Sequence, residues 1–207
     1  SELSVPPRRA DMPIVVAAMG PRTLRLAGEL ADGAFLFFAT PGSVGQAAAE
    51  VAAGRAISGR GPEAVRLLAY VPTCVSTDRL QAIEASRGVV AYYGRLAHYQ
   101  AIFARQGFAD EAECLRAAWA ERDPRAAIQA VSDEMVVSLT ASGSPDDVAE
   151  AIGAFADSGL DQVVLYPYPA SGGALGAFRA AIDAVGPVAR DLAGTVAAGG
   201  GERLTRA

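Results

Sequence analysis

The run Pro13-Ile14-Val15-Val16-Ala17-Ala18-Met19-Gly20-Pro21-Arg22-Thr23 constrains this chain more than any other stretch, because a short apolar strand ends in small residues and opens directly into a helix. Pro13 starts the strand. Gly20 is placed to let the backbone turn, and Pro21 stands at the first helical position, where proline is best tolerated. The N–H groups of Arg22 and Thr23 then point out of the helix start without intrahelical acceptors. Joined by the Thr23 hydroxyl and the Arg22 guanidinium at the positive end of the helix dipole, they offer a site to a phosphate. The same run also reads as an ordinary strand-to-helix turn of an α/β protein.

Downstream, strand and helix patterns alternate. Phe35–Phe38 is a second apolar strand, and Val44, Ala47, Ala48, Val51 and Ala52 fall at helical spacing before the glycine-rich loop at Ser58–Pro62. Val65–Val75 is a third strand, with Pro72 predicting an irregular end. Thr77 and Asp78 cap a long helix through Tyr92, Tyr93, Leu96 and Tyr99, and a further helical region runs from Asp110 to about Ala130. Ser144-Pro145-Asp146-Asp147 is a helix start with a serine cap and acids facing the dipole, followed by the inward stripe Val148, Ile152 and Phe155. Gln162–Pro167 is an apolar run suited to a buried parallel strand. A last helix includes Phe178, Ile182 and Val185, and the tail over 199–207 is expected to be disordered.

Two strings within this pattern, "PIVVAAMGPRTLRLAGELADGAFLFFATP" and "DEMVVSLTASGSPDDVAEAIGAFADSGLDQVVLYP", resemble the bacterial luciferase-like monooxygenase superfamily, in particular its branch that uses the deazaflavin coenzyme F420. Members are usually (β/α)8 barrels, and the match is to their C-terminal part. The resemblance therefore implies a partial TIM barrel of about four parallel strands over residues 1–198, with a helical insertion at about 78–130. It implies a flavin- or F420-dependent oxidoreductase acting on a small-molecule substrate, with coenzyme F420 as cofactor and FMN as the alternative. In that family the matching strand end and helix start hold the cofactor's phosphate, which assigns cofactor binding to Ala18, Met19, Gly20, Pro21, Arg22 and Thr23. Thr40 and Tyr166, at the ends of later strands, are placed on the rim where βα loops build barrel sites and are candidate walls of a substrate pocket; a capped turn and plain packing are their other readings. The ring-facing and acid–base residues of most members come from the N-terminal strands, so no catalytic residue is assigned.

A full barrel takes about 250 residues, and this chain has 207. Half a barrel leaves two unpaired edges and an uncovered inner face. Three resolutions stand: a missing N-terminal half, association of copies into a homo-oligomer, or a small open α/β sheet. A non-catalytic half-barrel remnant or oligomerisation module is the alternative to the enzyme.

The hydrophobic fraction of 51% fits a globular protein, and the net charge of −5 argues against a nucleic-acid partner. No apolar run is long enough to span a bilayer and the first residues lack a signal-peptide core, so a cytoplasmic protein without a membrane partner is the expectation. Cys74 and Cys114 lack a metal or redox motif and read as buried thiols. His98, the single histidine, lies between tyrosines in a long helix and reads as structural, with no second ligand at metal spacing. Tyr92, Tyr93, Tyr99 and Trp119 read as helix packing, and Asp110, Glu111 and Glu113 as a solvated face.

Overall fold

The computed structural model describes residues 11–200, with side chains placed as far as Arg190. In chain order the elements are β1 (Val15–Ala17), α1 (Pro21–Leu30), β2 (Gly33–Phe37), α2 (Pro41–Ser58), a 3-10 turn (Pro62–Ala64) and β3 (Arg66–Val75). Five helices follow: α3 (Arg79–Tyr93), α4 (Ala97–Arg105), α5 (Ala109–Ala120), α6 (Pro124–Gln129) and α7 (Asp133–Leu139). The chain then forms β4 (Ala141–Gly143), α8 (Pro145–Asp157), β5 (Gln162–Pro167) and α9 (Ala174–Gly200).

All strand pairs are parallel. The main order is β1-β2-β3-β5, and the short β4 joins β3 beyond the end of β2. This is the architecture of a partial (β/α)8 barrel with a helical insertion. Aspartates immediately before two strands clasp its N-terminal end: Asp32 Oδ2 accepts from Ile14 N at 2.7 Å, and Asp161 Oδ2 accepts from Leu67 N at 2.6 Å.

Alternation along the strands separates two faces. Ala34, Leu36, Leu67, Ala69 and Val71 join Val44, Val51, Val148, Ile152 and Phe155 in a core beneath α1, α2 and α8. Helices α1 and α2 meet with almost no room between them. A Cβ at Gly54 would lie 1.9 Å from the Arg25 carbonyl oxygen, and one at Gly28 would lie 2.2 Å from that of Val51. An Arg25–Glu50 ion pair spans the same contact, and Arg60 Nη1 donates to the Ala31 carbonyl at 2.6 Å, a cation set on the C-terminal end of α1.

The second core belongs to the insertion: Ile83, Val90, Phe103, Leu115, Val131, Met135 and Leu139 gather around Phe38. Phe38 has φ +51°, a left-handed conformation uncommon for a bulky residue. The second strand therefore stops at Phe37 rather than running through Phe38 as expected. Its ring is fully buried, with edge-on contacts to Tyr93, Tyr99 and Phe103 at 5.2–5.8 Å, which ties the insertion to the sheet.

The third strand does not become irregular at Pro72; β3 runs unbroken to Val75. Arg66 N bonds toward β2 and Leu67 N toward β5, so even-numbered amides of β3 face the β2 side. There β2 ends opposite Tyr70 and β4 begins opposite Thr73, so proline falls in the gap where an N–H would lack a strand partner. Three further expectations are corrected. β5 is only half-buried rather than buried because it is an edge strand, and at the other edge Ile14 and Val15 of the β1 region are 63% and 49% exposed. Cys114 is exposed, while Cys74 is buried. Tyr92 is half exposed under the Arg95 guanidinium, whereas the Trp119 indole is fixed by donating to the Ala91 carbonyl at 2.9 Å. Of the tail expected to be disordered over 199–207, residues 199–200 close α9, and 201–207 lie outside the described residues.

Candidate functional site at the C-terminal rim

Parallel strands put their C-terminal ends on one rim, where β1 leads through Ala18 and Met19 into α1, and β2 leads through Phe38 and Ala39 into α2. The two helix starts are built alike. Gly20 N donates to Thr23 Oγ1 at 3.2 Å and Thr23 Oγ1 donates to the Gly20 carbonyl at 2.9 Å; Thr40 and Ser43 repeat the arrangement at 3.1 and 2.9 Å. They differ in what remains unused. Ser43 N donates to the Thr40 carbonyl, whereas the N–H groups of Arg22 and Thr23 have no acceptor among the described residues. The α1 start therefore retains two donors for an anion. The Thr23 hydroxyl, expected to join them, is occupied within the turn.

Gly20 also departs from expectation. Its φ of −119° is extended backbone open to any residue, so the turn does not require glycine. An added Cβ would meet nothing closer than Thr23 Oγ1 at 3.8 Å, so the missing side chain simply leaves the approach to the helix start clear.

The insertion supplies what the sequence alone left unassigned. Arg105, at the end of α4, donates through Nη2 to the Met19 carbonyl at 3.2 Å and so brings a cation to the α1 start. Met19, Pro21, Phe37, Ser43, Arg105 and Gln106 line a small cavity of about 80 Å³ between the starts of α1 and α2. No local pattern around Arg105 signals this, since 86 residues separate it from Met19.

Thr40 is held differently. Its Oγ1 donates to Gln106 Oε1 at 3.0 Å, and Gln106 Nε2 donates to Ser43 Oγ at 3.2 Å, which locks the insertion onto the α2 start. Thr40 borders a separate cavity of about 590 Å³ that also touches Phe108, Glu134, Ser142 and Asp147. Tyr166 instead lies on the sheet face turned away from the helices. Its ring stacks on Tyr70 at 4.9 Å, and Tyr70 lies 5.4 Å from both Phe35 and Phe37. Tyr93 reaches the same group from α3, edge-on to Phe37 at 5.0 Å. Through Phe37, this aromatic wall adjoins the cavity beside Met19 and Pro21. The rim thus links the 18–23 segment with Tyr166 and leaves Thr40 facing another space.

Where α3 covers the top of this face, hydroxyls are buried together. Ser86 Oγ lies 2.6 Å from the Ala82 carbonyl oxygen and 2.7 Å from Ser142 Oγ, and Ser142 Oγ lies 2.7 Å from Thr140 Oγ1, a hydroxyl cluster closed onto the helix backbone. The Tyr168 hydroxyl is buried near Ser86 and Ser142 without a well-formed hydrogen bond to either, and burial pushes its pKa up to about 12. Burial likewise pushes the Cys74 thiol up to about 11. Both groups are protonated and inert at neutral pH. His98 is exposed, its ring 4.2 Å from that of Tyr99. Among the described residues, no group of three His, Cys, Asp or Glu side chains could hold a metal ion, and no helix is long and apolar enough to cross a membrane.

Comparison with known proteins matches this architecture. The chain is 34% identical over 159 residues to a 5,10-methylenetetrahydromethanopterin reductase of Archaeoglobus fulgidus, covering 74% of this chain and 48% of the relative. It is 31% identical over 159 residues to the reductase of the same name from Methanolobus tindarius, covering 76% and 48%. Among solved structures, the coenzyme F420 dependent tetrahydromethanopterin reductase from Methanopyrus kandleri superposes with a TM-score of 0.73 at 27% identity, over 86% of this chain and 51% of that one. An F420-dependent secondary alcohol dehydrogenase shares the fold, with a TM-score of 0.58 at 17% identity over 84% of this chain and 49% of that one. The chain spans about half the length of the relatives it matches. The luciferase-like monooxygenase family model covers residues 1–162, and with the half-barrel and its rim in view, the chain belongs to that family.

Proposed function

We propose that this chain is the cofactor-phosphate half of an F420-dependent oxidoreductase, with FMN as the alternative cofactor. The observation that carries the reading is the pair of unused N–H groups of Arg22 and Thr23, set beside Arg105 at the rim of a half-barrel. In this reading Ala18, Met19, Gly20 and Pro21 form the floor, the two amides and the Arg22 and Arg105 guanidiniums hold the phosphate, and the open space at Gly20 admits it. The residues fit the group: two free donors, a positive helix end and two cations suit a phosphate monoester or diester. Hydride transfer is the chemistry that a deazaflavin or flavin ring supplies when bound. The chain's own part is to anchor the tail and turn the ring toward the aromatic wall, with Tyr166 facing the substrate and Thr40 bracing the second helix start.

The test separates phosphate from ring. FMN and riboflavin differ by the phosphate alone, and charge-assisted bonds contribute about 1.5–3 kcal/mol each. Fluorescence titration of the chain is expected to show FMN binding at least about tenfold more tightly than riboflavin. Arg22→Ala, Arg105→Ala and Gly20→Val are each expected to pull that ratio toward one, the last by crowding the approach to the amides. A ratio near one in the parent chain, or one that all three substitutions leave unchanged, places the phosphate elsewhere.

A second reading, closure of the half-barrel by a homo-oligomer or by a separate N-terminal half, is favoured by apolar side chains at both flanks of the sheet. Met12, Ile14 and Leu30 are exposed around β1 and α1, and Leu175, Phe178 and Ile182 on α9. Beside them an apolar groove of about 600 Å³ runs between α8, β5 and α9. Light scattering is expected to show association through these flanks, and a monodisperse monomer at micromolar concentration counts against it.

A further inference from the structure

Phe38 stands where the alternation of β2 breaks. Ala34 and Leu36 point into the core beneath α1 and α2, and the next even-numbered residue of an unbroken strand would follow them. The left-handed backbone at Phe38, φ +51°, instead delivers its ring into the core of the insertion, and Ala39 takes the place under the helices. A bulky residue holds this conformation at an energetic cost, so it persists only where its surroundings over-determine it. Here they do: the ring is 0% exposed and meets Phe103 of α4 edge-on at 5.4 Å.

The same helix carries the polar contacts of the rim. Two residues beyond Phe103, Arg105 reaches the Met19 carbonyl at 3.2 Å, and Gln106 bridges Thr40 and Ser43 at the α2 start. Ile102 and Phe37, chain neighbours of Phe103 and Phe38, both line the small cavity between the two helix starts. Among the described residues the bond to Met19 is the only one that Arg105 makes, so the aim of its guanidinium rests on where α4 ends.

We propose that the insertion, anchored by Phe38 and latched by Gln106, is the positioning element of the phosphate site: it holds Arg105 beside the free amides of Arg22 and Thr23, and a bound phosphate in turn holds the insertion. This coupling rests on the phosphate reading of the rim, and Phe38 and Gln106 act in it through Arg105 without touching the ligand. Coupling of this kind is reciprocal, so whatever the order of the insertion adds to phosphate affinity, phosphate returns as order in the insertion.

The test titrates the 207-residue chain with FMN and riboflavin, which differ by the phosphate alone. Phe38→Leu keeps an apolar side chain in the insertion core without the ring, and Gln106→Ala removes the latch without opening that core. Each is expected to lower the FMN-to-riboflavin affinity ratio about threefold. Combined with Arg105→Ala, neither is expected to lower the ratio further, because the loss runs through the same guanidinium. Val148→Ala, a cavity in the other core, is expected to lower Tm and leave the ratio at the parent value, which separates positioning from stability. In amide hydrogen exchange, FMN is expected to slow α4 more than riboflavin does at equal saturation, and Arg105→Ala is expected to abolish the difference. A parent-like ratio in both Phe38→Leu and Gln106→Ala, losses that add to that of Arg105→Ala, or equal protection of α4 by the two probes overturns the coupling alone. A parent ratio near one, or no saturable binding of FMN, removes the phosphate reading itself and the coupling with it.

Discussion

The two faces of the sheet solve opposite problems. Under α1, α2 and α8 the strands present Ala34, Leu36, Leu67, Ala69 and Val71, and two glycines let helix backbones touch. The α1–α2 contact on that face leaves no room for a side chain, and the core beneath it is apolar. The other face presents Phe35, Phe37, Tyr70 and Tyr166, half-buried, with a cap of helices only at its top. Small apolar residues close the first face against water, whereas the large rings of the second are only half covered. The contrast separates a face closed by helix packing from one left half open.

The sharpest way to break this contrast is at the helix contact. Gly54→Val would drive a branched side chain into the Arg25 backbone, where even a Cβ lies 1.9 Å from the carbonyl oxygen. A loss of more than about 4 kcal/mol is expected, enough to unfold a marginal domain, read by circular dichroism and urea titration. A native-like Tm in that variant would show that α1 and α2 can slide apart and that the first face is not close-packed.

An intermediate effect is expected from pH at the sealed top of the second face. Cys74 ionises at about 11 against an ordinary 9.0, and Tyr168 at about 12 against an ordinary 10.0. In both cases the folded state holds its proton more tightly than the unfolded chain. Their contribution is therefore complete below pH 9 and is lost as pH rises through 9–11 for Cys74 and 10–12 for Tyr168. Unfolding free energy should stay level through neutrality as far as these groups are concerned, then fall above about pH 9. In Cys74→Ala the onset should move up toward pH 10, where Tyr168 alone begins to titrate. An onset that does not move would mean that water reaches the thiol.

The smallest effect on stability is expected from Tyr70→Phe, Tyr93→Phe and Tyr166→Phe, whose hydroxyls are not sealed from solvent: each should stay within about 0.5 kcal/mol of the parent by urea titration. A larger loss would show that those hydroxyls serve the fold and make the two faces more alike than their contacts indicate.

Much of this molecule is legible along the chain because it is local. The Ser144 cap and the stripe Val148, Ile152 and Phe155 predict α8 closely, and Ser144 Oγ accepts from Asp147 N at 3.2 Å. Gln162–Pro167 forms β5 with the expected bounds. Alternating apolar strands and helices announce the parallel half-barrel, and the motif around Gly20 announces a helix start with unused amides. Asp32, within the same motif, clasps the strand start at Ile14, at the end of the sheet opposite the rim.

What escaped depends on which residues meet across long separations. The three-residue β4 is too short to show a period, and it pairs with β3 only because β2 ends early. Phe38 reads as strand because its neighbours are apolar. Only the insertion's core, assembled from residues 83–139, holds its ring in the left-handed turn that ends β2. Arg105 reaches Met19, and Tyr93 joins Tyr70 and Tyr166, because helices inserted after β3 fold back over the rim. Periodicity, capping and turn chemistry act over a few residues, so the sequence by itself determined most of the elements, the parallel half-barrel they form and the exposed amides of the first helix, but neither β4 nor the break between α3 and α4. Which side chains converge on those amides, and which face stays half open, was decided by tertiary packing, because burial and hydrogen-bond satisfaction are properties of neighbours in space.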